Sequence, residues 1–168
     1  MIADYPESQY LDDALYEQGR AFVQMEDHTN AINRFNILLK KFPESNMARR
    51  AANEIGLLYY QGDKYPEAIQ AYKQVITNYP GSEEARLAQR DLKSIYIDLN
   101  KVDEYANFAS TIPGGANFDV NERDSLTYVA AERAYMRGEI DEARNSFTHY
   151  LQTFPEGAFS LNANYYVG

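Results

Sequence analysis

The sequence predicts an all-α array of stacked helix pairs, and three observations carry that prediction. The first is a unit that repeats. From Gly56, the residues Tyr59, Ala68, Tyr72 and Pro80 follow at offsets of 3, 12, 16 and 24. Gly19, Phe22, Ala31, Phe35 and Pro43 show the same offsets 37 residues upstream, and Ala131, Ala134, Ala143, Phe147 and Pro155 show them downstream. The second is periodicity: Ala31, Ile32, Phe35, Leu38 and Leu39 recur at helical spacing. The third is that no alternating run of β-branched residues is bounded by turn residues, which is how a strand would read. A fixed period in this range is the mark of a stacked-repeat fold.

Each position of the unit has a steric reason. Two helices packed face to face need a small residue where the backbones approach, at Gly56 and Ala68. They need a ring beside it, at Tyr59 and Tyr72; Tyr79 and Tyr96 also fall on packing positions. Gly62 and Asp63 supply the turn. Pro66 fits the first turn of the second helix, where no donor is lost, and Pro80 stops that helix.

In chain order, residues 1–7 read as the tail of a preceding unit, and Ser8 as the cap of a first helix over 8–25. Leu11, Leu15, Phe22 and Met25 form its buried side. Glu26-Asp27-His28 turns the chain, and Thr29 or Asn30 caps a second helix to 41. Ser45 starts the third, ending near Gln61, and the fourth spans 65–79. Ser82 opens the fifth, to Leu99, with Asn100 as terminator; the sixth is short, 102–110. Here Lys93 takes the glycine position and Tyr105 the alanine position, so this unit is degenerate. Residues 111–119, with Pro113, Gly114 and Gly115, read as an irregular loop. Asp119 or Asn121 caps the seventh helix, to Arg137; Gly138 turns, 140–154 is the eighth, and a ninth starts near 158. The units are therefore 8–43, 45–80, 82–113, 119–155 and a partial fifth over 156–168, in one array. The chain opens on a junction and closes inside a helix, so it reads as a piece of a longer array. Phe159, Leu161 and Tyr166 are expected to expose apolar surface at an uncapped end, with weak self-association or fraying there.

The glycine, alanine, aromatic and proline positions together resemble the tetratricopeptide repeat family. The family's tryptophan is absent, with Leu15, Ala52, Gln89 and Thr127 in its place, and the period exceeds the usual ~34 residues. The extra residues lie at Tyr5-Pro6-Glu7-Ser8, Phe42-Pro43-Glu44-Ser45 and Tyr79-Pro80-Gly81-Ser82. Such junctions resemble the envelope branch of the family, which includes periplasmic coordinators of the Tol system and outer-membrane assembly lipoproteins of Gram-negative bacteria. The resemblance implies a right-handed superhelical α-solenoid that binds a protein partner, placed in the periplasm or at the outer membrane, with the cytoplasm as alternative.

Composition narrows the partners. There are 16 basic and 25 acidic residues, a net charge of −9. That argues against nucleic acid and against an anionic membrane surface. Residues 1–40 carry 3 basic and 7 acidic groups, 41–100 carry 8 and 8, and 101–168 carry 5 and 10. Acidic ends favour a basic partner segment. There is no cysteine, so no disulfide or thiolate metal site. No apolar run approaches the ~20 residues of a membrane span, so no membrane insertion is expected. Met1-Ile2-Ala3-Asp4 lacks the features of a signal peptide.

Little points to catalysis. His28 reads as a turn residue and His149 as an outward one, with no metal-ligand spacing between them. Asp12-Asp13 and Glu83-Glu84 complement helix dipoles. Ser8, Ser45 and Ser82 recur at capping sites. Gly114-Gly115 has no strand ahead of it, as a phosphate loop would. The expectation is a non-catalytic scaffold without cofactor or metal.

The family resemblance implies that the first helix of each unit lines a concave groove. Positions 6 and 3 before the glycine, and 1, 4 and 5 after it, point inward. From these, the expected partner-binding residues are Tyr16, Arg20, Gln24, Arg50, Asn53, Leu57, Tyr60, Arg90, Ser94, Ile97, Tyr128, Glu132 and Tyr135. Rings, amides and both charges suit a peptide laid in a groove. The carboxylate clamp of chaperone-binding members needs lysines and asparagines on these helices, and the groove has no lysine, so that specialisation is not expected. Arg20, Arg50 and Arg90 either grip an acidic side chain or pair with acids on their own face. Two other readings remain. One is a glycan-binding module with Tyr16, Tyr60, Tyr128, Tyr135 and Tyr165 as stacking platforms. The other is an accessory region of a larger enzyme.

Overall fold

A computed structural model describes residues 4–112 and 120–168. The described residues form nine helices and no strand: α1 (Asp4–Gln24), α2 (His28–Lys41), α3 (Asn46–Gln61), α4 (Tyr65–Asn78), α5 (Glu83–Asp98), α6 (Val102–Ala109), α7 (Val120–Met136), α8 (Ile140–Thr153) and α9 (Ser160–Val167). They divide into two compact units, Met1–Leu92 and Lys93–Gly168, and the division falls inside α5.

In the first unit α1 packs on α2 and α3 on α4; α3 lies against α2 and also meets α1. The glycine–ring contact sets the pairing distance. A Cβ added at Gly56 would lie 2.6 Å from Tyr72 Cε1, and one at Gly19 would run into Phe35. Phe35, Tyr72, Ala31 and Ala68 are fully buried. Leu15, Leu38, Ala48, Ala51, Ile55 and Leu58 fill the space around them.

In the second unit α7 packs on α8, α8 on α9, and α6 on α7. Ala131 stands where glycine does elsewhere, opposite Phe147, and both are fully buried. This core is aromatic. Tyr128 stacks flat on Phe159 and Phe147 flat on Tyr166, each with ring centroids 4.5 Å apart.

The turns inside the pairs share one design. Glu26, Asp63, Asn100 and Gly138 have φ of 60°, 58°, 59° and 81°. The next N–H reaches back in each case: Asp27 to Phe22, Lys64 to Tyr59, Lys101 to Tyr96, Glu139 to Ala134. This satisfies the orphan carbonyls that end each first helix. The junctions between pairs have another design. Phe42, Tyr79 and Phe154 close their helices. Ser45 and Ser82 then cap the next ones, accepting at 3.1 Å from the N–H of Met47 and of Ala85.

Several expectations are corrected. α1 begins at Asp4, so Ser8 lies inside it and does not cap it. Pro6 falls in the first turn, where a missing donor costs nothing. Asp27, not Thr29 or Asn30, caps α2, accepting from the Asn30 N–H at 3.2 Å. His28 is the first residue of α2 rather than a turn residue. Leu11 and Met25 are exposed, at 44% and 70%, because they lie off the contacts of α1 with α2 and α3. Phe159 and Tyr166 are half-buried by their ring stacks; of the three residues expected to be bare, only Leu161 is, at 84%. Asn121 sits within α7, and Asp119 and the 113–119 part of the expected loop lie outside the described residues.

Candidate functional site

The surface to examine is the side of the first helices that packing leaves uncovered. In the first unit it is continuous from α1 to α3. Arg20, Gln24 and Arg50 are exposed, while Tyr16, Asn53, Leu57 and Tyr60 are half-buried. The Tyr16 ring leans on Phe35 at 5.9 Å, and burial, followed by the Glu54 charge, raises its pKa. Tyr60 is held by Tyr65, with ring centroids 6.0 Å apart. Both rings are therefore held by a tilted aromatic neighbour and remain half-exposed.

The three arginines differ. Arg20 Nη1 donates to Glu54 Oε1 at 3.3 Å, joining α1 to α3. Arg90 Nη2 lies 3.1 Å from Asp91 Oδ1, and Asp91 also accepts from the Tyr72 hydroxyl at 3.2 Å. Arg50 is exposed and makes no ion pair among the described residues. Beside it, Asn53 Oδ1 is buried and accepts no hydrogen bond. Pairing with neighbours thus takes Arg20 and Arg90, and Arg50 keeps its donors available.

In the second unit the same offsets give a different result. Tyr135 is 41% exposed, and Ser94 and Glu132 are half-buried. Ile97 and Tyr128 are core residues, 6% and 5% exposed. Ile97 is covered by Val102 and Ala130. Tyr128 is covered by Phe159; burial, then the neighbouring Glu132 carboxylate, pushes its pKa up to about 12. A partner cannot reach either side chain without repacking, and a glycan-stacking row that includes Tyr128 is interrupted there.

The residue that sequence reasoning missed is Asp124. It is buried in α7, accepts from the Tyr150 hydroxyl, and accepts from the Ala158 N–H at 2.9 Å just ahead of α9. Tyr150 accepts in turn from the Phe159 N–H at 3.0 Å. A Cβ at Gly157 would lie 2.9 Å from Asp124 Oδ2, so the carboxylate occupies the room that the serine of other junctions would use. The signal was legible. Asp124 precedes Ala131 by seven residues, as Asp12 precedes Gly19, and glycine replaces serine at 157. Asp12 makes the corresponding link in the first unit, accepting from Ser45 Oγ at 2.6 Å.

Among the described residues no cluster of three or more His, Asp or Glu is placed to hold a metal ion, and no helix is long and apolar enough to cross a membrane. The histidine–carboxylate contact, His149 Nε2 to Asp103 Oδ2 at 3.9 Å, is exposed and shared with Arg123, 2.6 Å from the same carboxylate.

The architecture is that of an all-α solenoid of helix pairs. Residues 16–83 match the family model described as tetratricopeptide repeat. A tetratricopeptide repeat protein from Parabacteroides merdae is similar in structure over 94% of this chain and 59% of its own, with a TM-score of 0.52 at 14% identity. That likeness shows the fold, and the present chain spans 59% of that protein's resolved length. A Podosopora anserina putative kinesin light chain with nearly identical TPR-like repeats aligns over 92% of this chain and 82% of its own, at 14% identity and a TM-score of 0.44, too low to carry weight. No curated protein sequence matches the chain. Repeats of the type found at 16–83 generally mediate protein–protein interaction.

Proposed function

We propose that the protein is a non-catalytic scaffold that holds a partner segment on the first-helix face of its first unit. The observation that supports this most is Arg50. Among the described residues it makes no ion pair, on a face where the other two arginines of the set are paired, and its charge acts on the half-buried Tyr16. A planar fork of donors near a half-buried ring suits a carboxylate or main-chain carbonyl in an otherwise apolar segment. The helix pairs hold these groups in place before binding, which lowers the ordering cost of association. Net charge of −9 favours segments with basic residues beyond the Arg50 contact. We place the parent protein in a Gram-negative envelope, on the aromatic–Pro–x–Ser junctions; cell fractionation tests that placement.

The binding proposal is tested by selecting peptides from a displayed library and titrating the chain with them under NMR observation. Shifts at Arg50, Leu57 and Tyr60, lost in Arg50→Ala, are the expected result. Shifts confined to the exposed faces of α2, α4 and α8 would move the site off the first helices.

A further inference from the structure

On the other side of the first unit a trough runs between α2 and α4. Its two cavities, about 410 and 190 Å³, share Asn36, Ile55, Ala71 and Gln74, so they form one channel. Its floor is aliphatic: Ala52 and Ile55 of α3 and Ala71 of α4. Tyr59 stands at one end and Tyr79 at the other. The walls carry amides, Asn36 from α2 and Gln70, Gln74 and Asn78 from α4. All four are exposed, and none of their side chains makes a hydrogen bond among the described residues. Isolated surface amides are ordinary; four around an apolar floor, three of them in file, are not.

The file has a spacing. Gln70, Gln74 and Asn78 are four residues apart, and a helix advances about 6 Å over four residues. An extended peptide advances about 6.6 Å over two residues and turns the same edge outward each time. A carboxamide offers one acceptor and two donors in a plane, which matches the N–H and C=O that a single residue of an extended chain presents on one edge. From Pro66 to Asn78 the wall is about 18 Å long, room for five or six extended residues. The one charged group of the lining is Glu67, near the Tyr59 end.

We propose that this trough binds an extended, uncharged peptide segment through its main chain, with Gln70, Gln74 and Asn78 pairing to the N–H and C=O of alternate residues and Asn36 holding the opposite edge. Alternate side chains of the segment face the floor and are small or aliphatic, because Ala52 and Ala71 leave a shallow bed. Sugar rings suit this lining less well, since the floor offers no aromatic face to stack on. The inference is independent of the first-helix site.

The test uses the full chain and follows the side-chain amide signals of Asn and Gln by NMR. The probes are two capped hexapeptides, acetyl-Ser-Val-Thr-Val-Ser-Val-amide and acetyl-Thr-Ala-Ser-Ala-Thr-Ala-amide, each also in a form N-methylated at alternate peptide nitrogens. Both parent peptides shift the amides of Asn36, Gln70, Gln74 and Asn78, and methylation on the bonding edge removes the shifts. Gln70→Ala with Gln74→Ala, both exposed and both helix-favouring, weakens binding about tenfold or more. The proposal is overturned if neither peptide shifts these signals, if methylation leaves binding intact, or if xylohexaose shifts them and the peptides do not. Shifts confined to Arg50, Leu57 and Tyr60 also overturn it while leaving the first-helix site standing.

Discussion

At the scale of single residues the fold turns on contacts where one atom decides. Gly56 has no room for a methyl group, because Tyr72 already fills the space at 2.6 Å. Gly56→Ala gains helix propensity but forces the pair apart, and is expected to cost about 1–3 kcal/mol net in denaturant unfolding. The ring positions also set a pH limit. Tyr128 and Tyr150 are pushed up from 10.0 to about 12, by burial first and then by their carboxylate partners Glu132 and Asp124. A raised value means the folded state holds the proton more tightly than the unfolded one. The stability this contributes is intact below pH 10 and is lost as pH rises through about 12. Denaturation midpoints measured from pH 8 to 12 should fall across that window, and Tyr150→Phe should flatten the fall. The same scale explains the misjudged site residues. Tyr128 stands at the offset of Tyr16, yet Phe159 stacks on it and nothing comparable covers Tyr16. An offset within a helix says which way a side chain points; what lies over it depends on a residue 31 positions away.

At the scale of elements, punctuation does the work of specification. The left-handed turn residue recurs as Glu26, Asp63, Asn100 and Gly138, and only the last is a glycine. Glu26→Gly removes the clash of Cβ with the backbone and is expected to raise stability by about 1 kcal/mol, read from the thermal midpoint. Ser45→Ala removes a helix cap and the partner of Asp12, and is expected to lower it by about 1–2 kcal/mol. Such elements were largely legible in the chain. Small residues opposite rings, prolines in first turns and serines before helices each have a single steric or hydrogen-bonding reason. Asp27 was not legible as a cap, because Thr29 and Asn30 are equally suited by type and only the backbone path selects among them. The pairing of Asp124 with Gly157, where other junctions have a serine, was legible only by setting the repeats side by side, because no single window of sequence contains both residues.

At the scale of the molecule, the most exposed large apolar side chains of the described residues lie in the second unit. Leu161 and Tyr165 of α9 are 84% and 83% exposed, and Met136 at the end of α7 is 80% exposed. Weak self-association through this surface is expected, seen as a concentration-dependent sedimentation coefficient that Leu161→Ser suppresses. The first-helix face of the first unit differs in kind, since it mixes half-buried rings with Arg50, which makes no ion pair among the described residues. Whether a partner sits there is most directly read by photo-crosslinking in cells of the source organism, with a photoreactive residue at Leu57 and, as comparison, at Arg144. A discrete adduct from position 57, absent from 144 and lost with Arg50→Ala and Tyr60→Ala, is the expected result. Adducts from 144 alone, or an adduct from 57 indifferent to both substitutions, would contradict it.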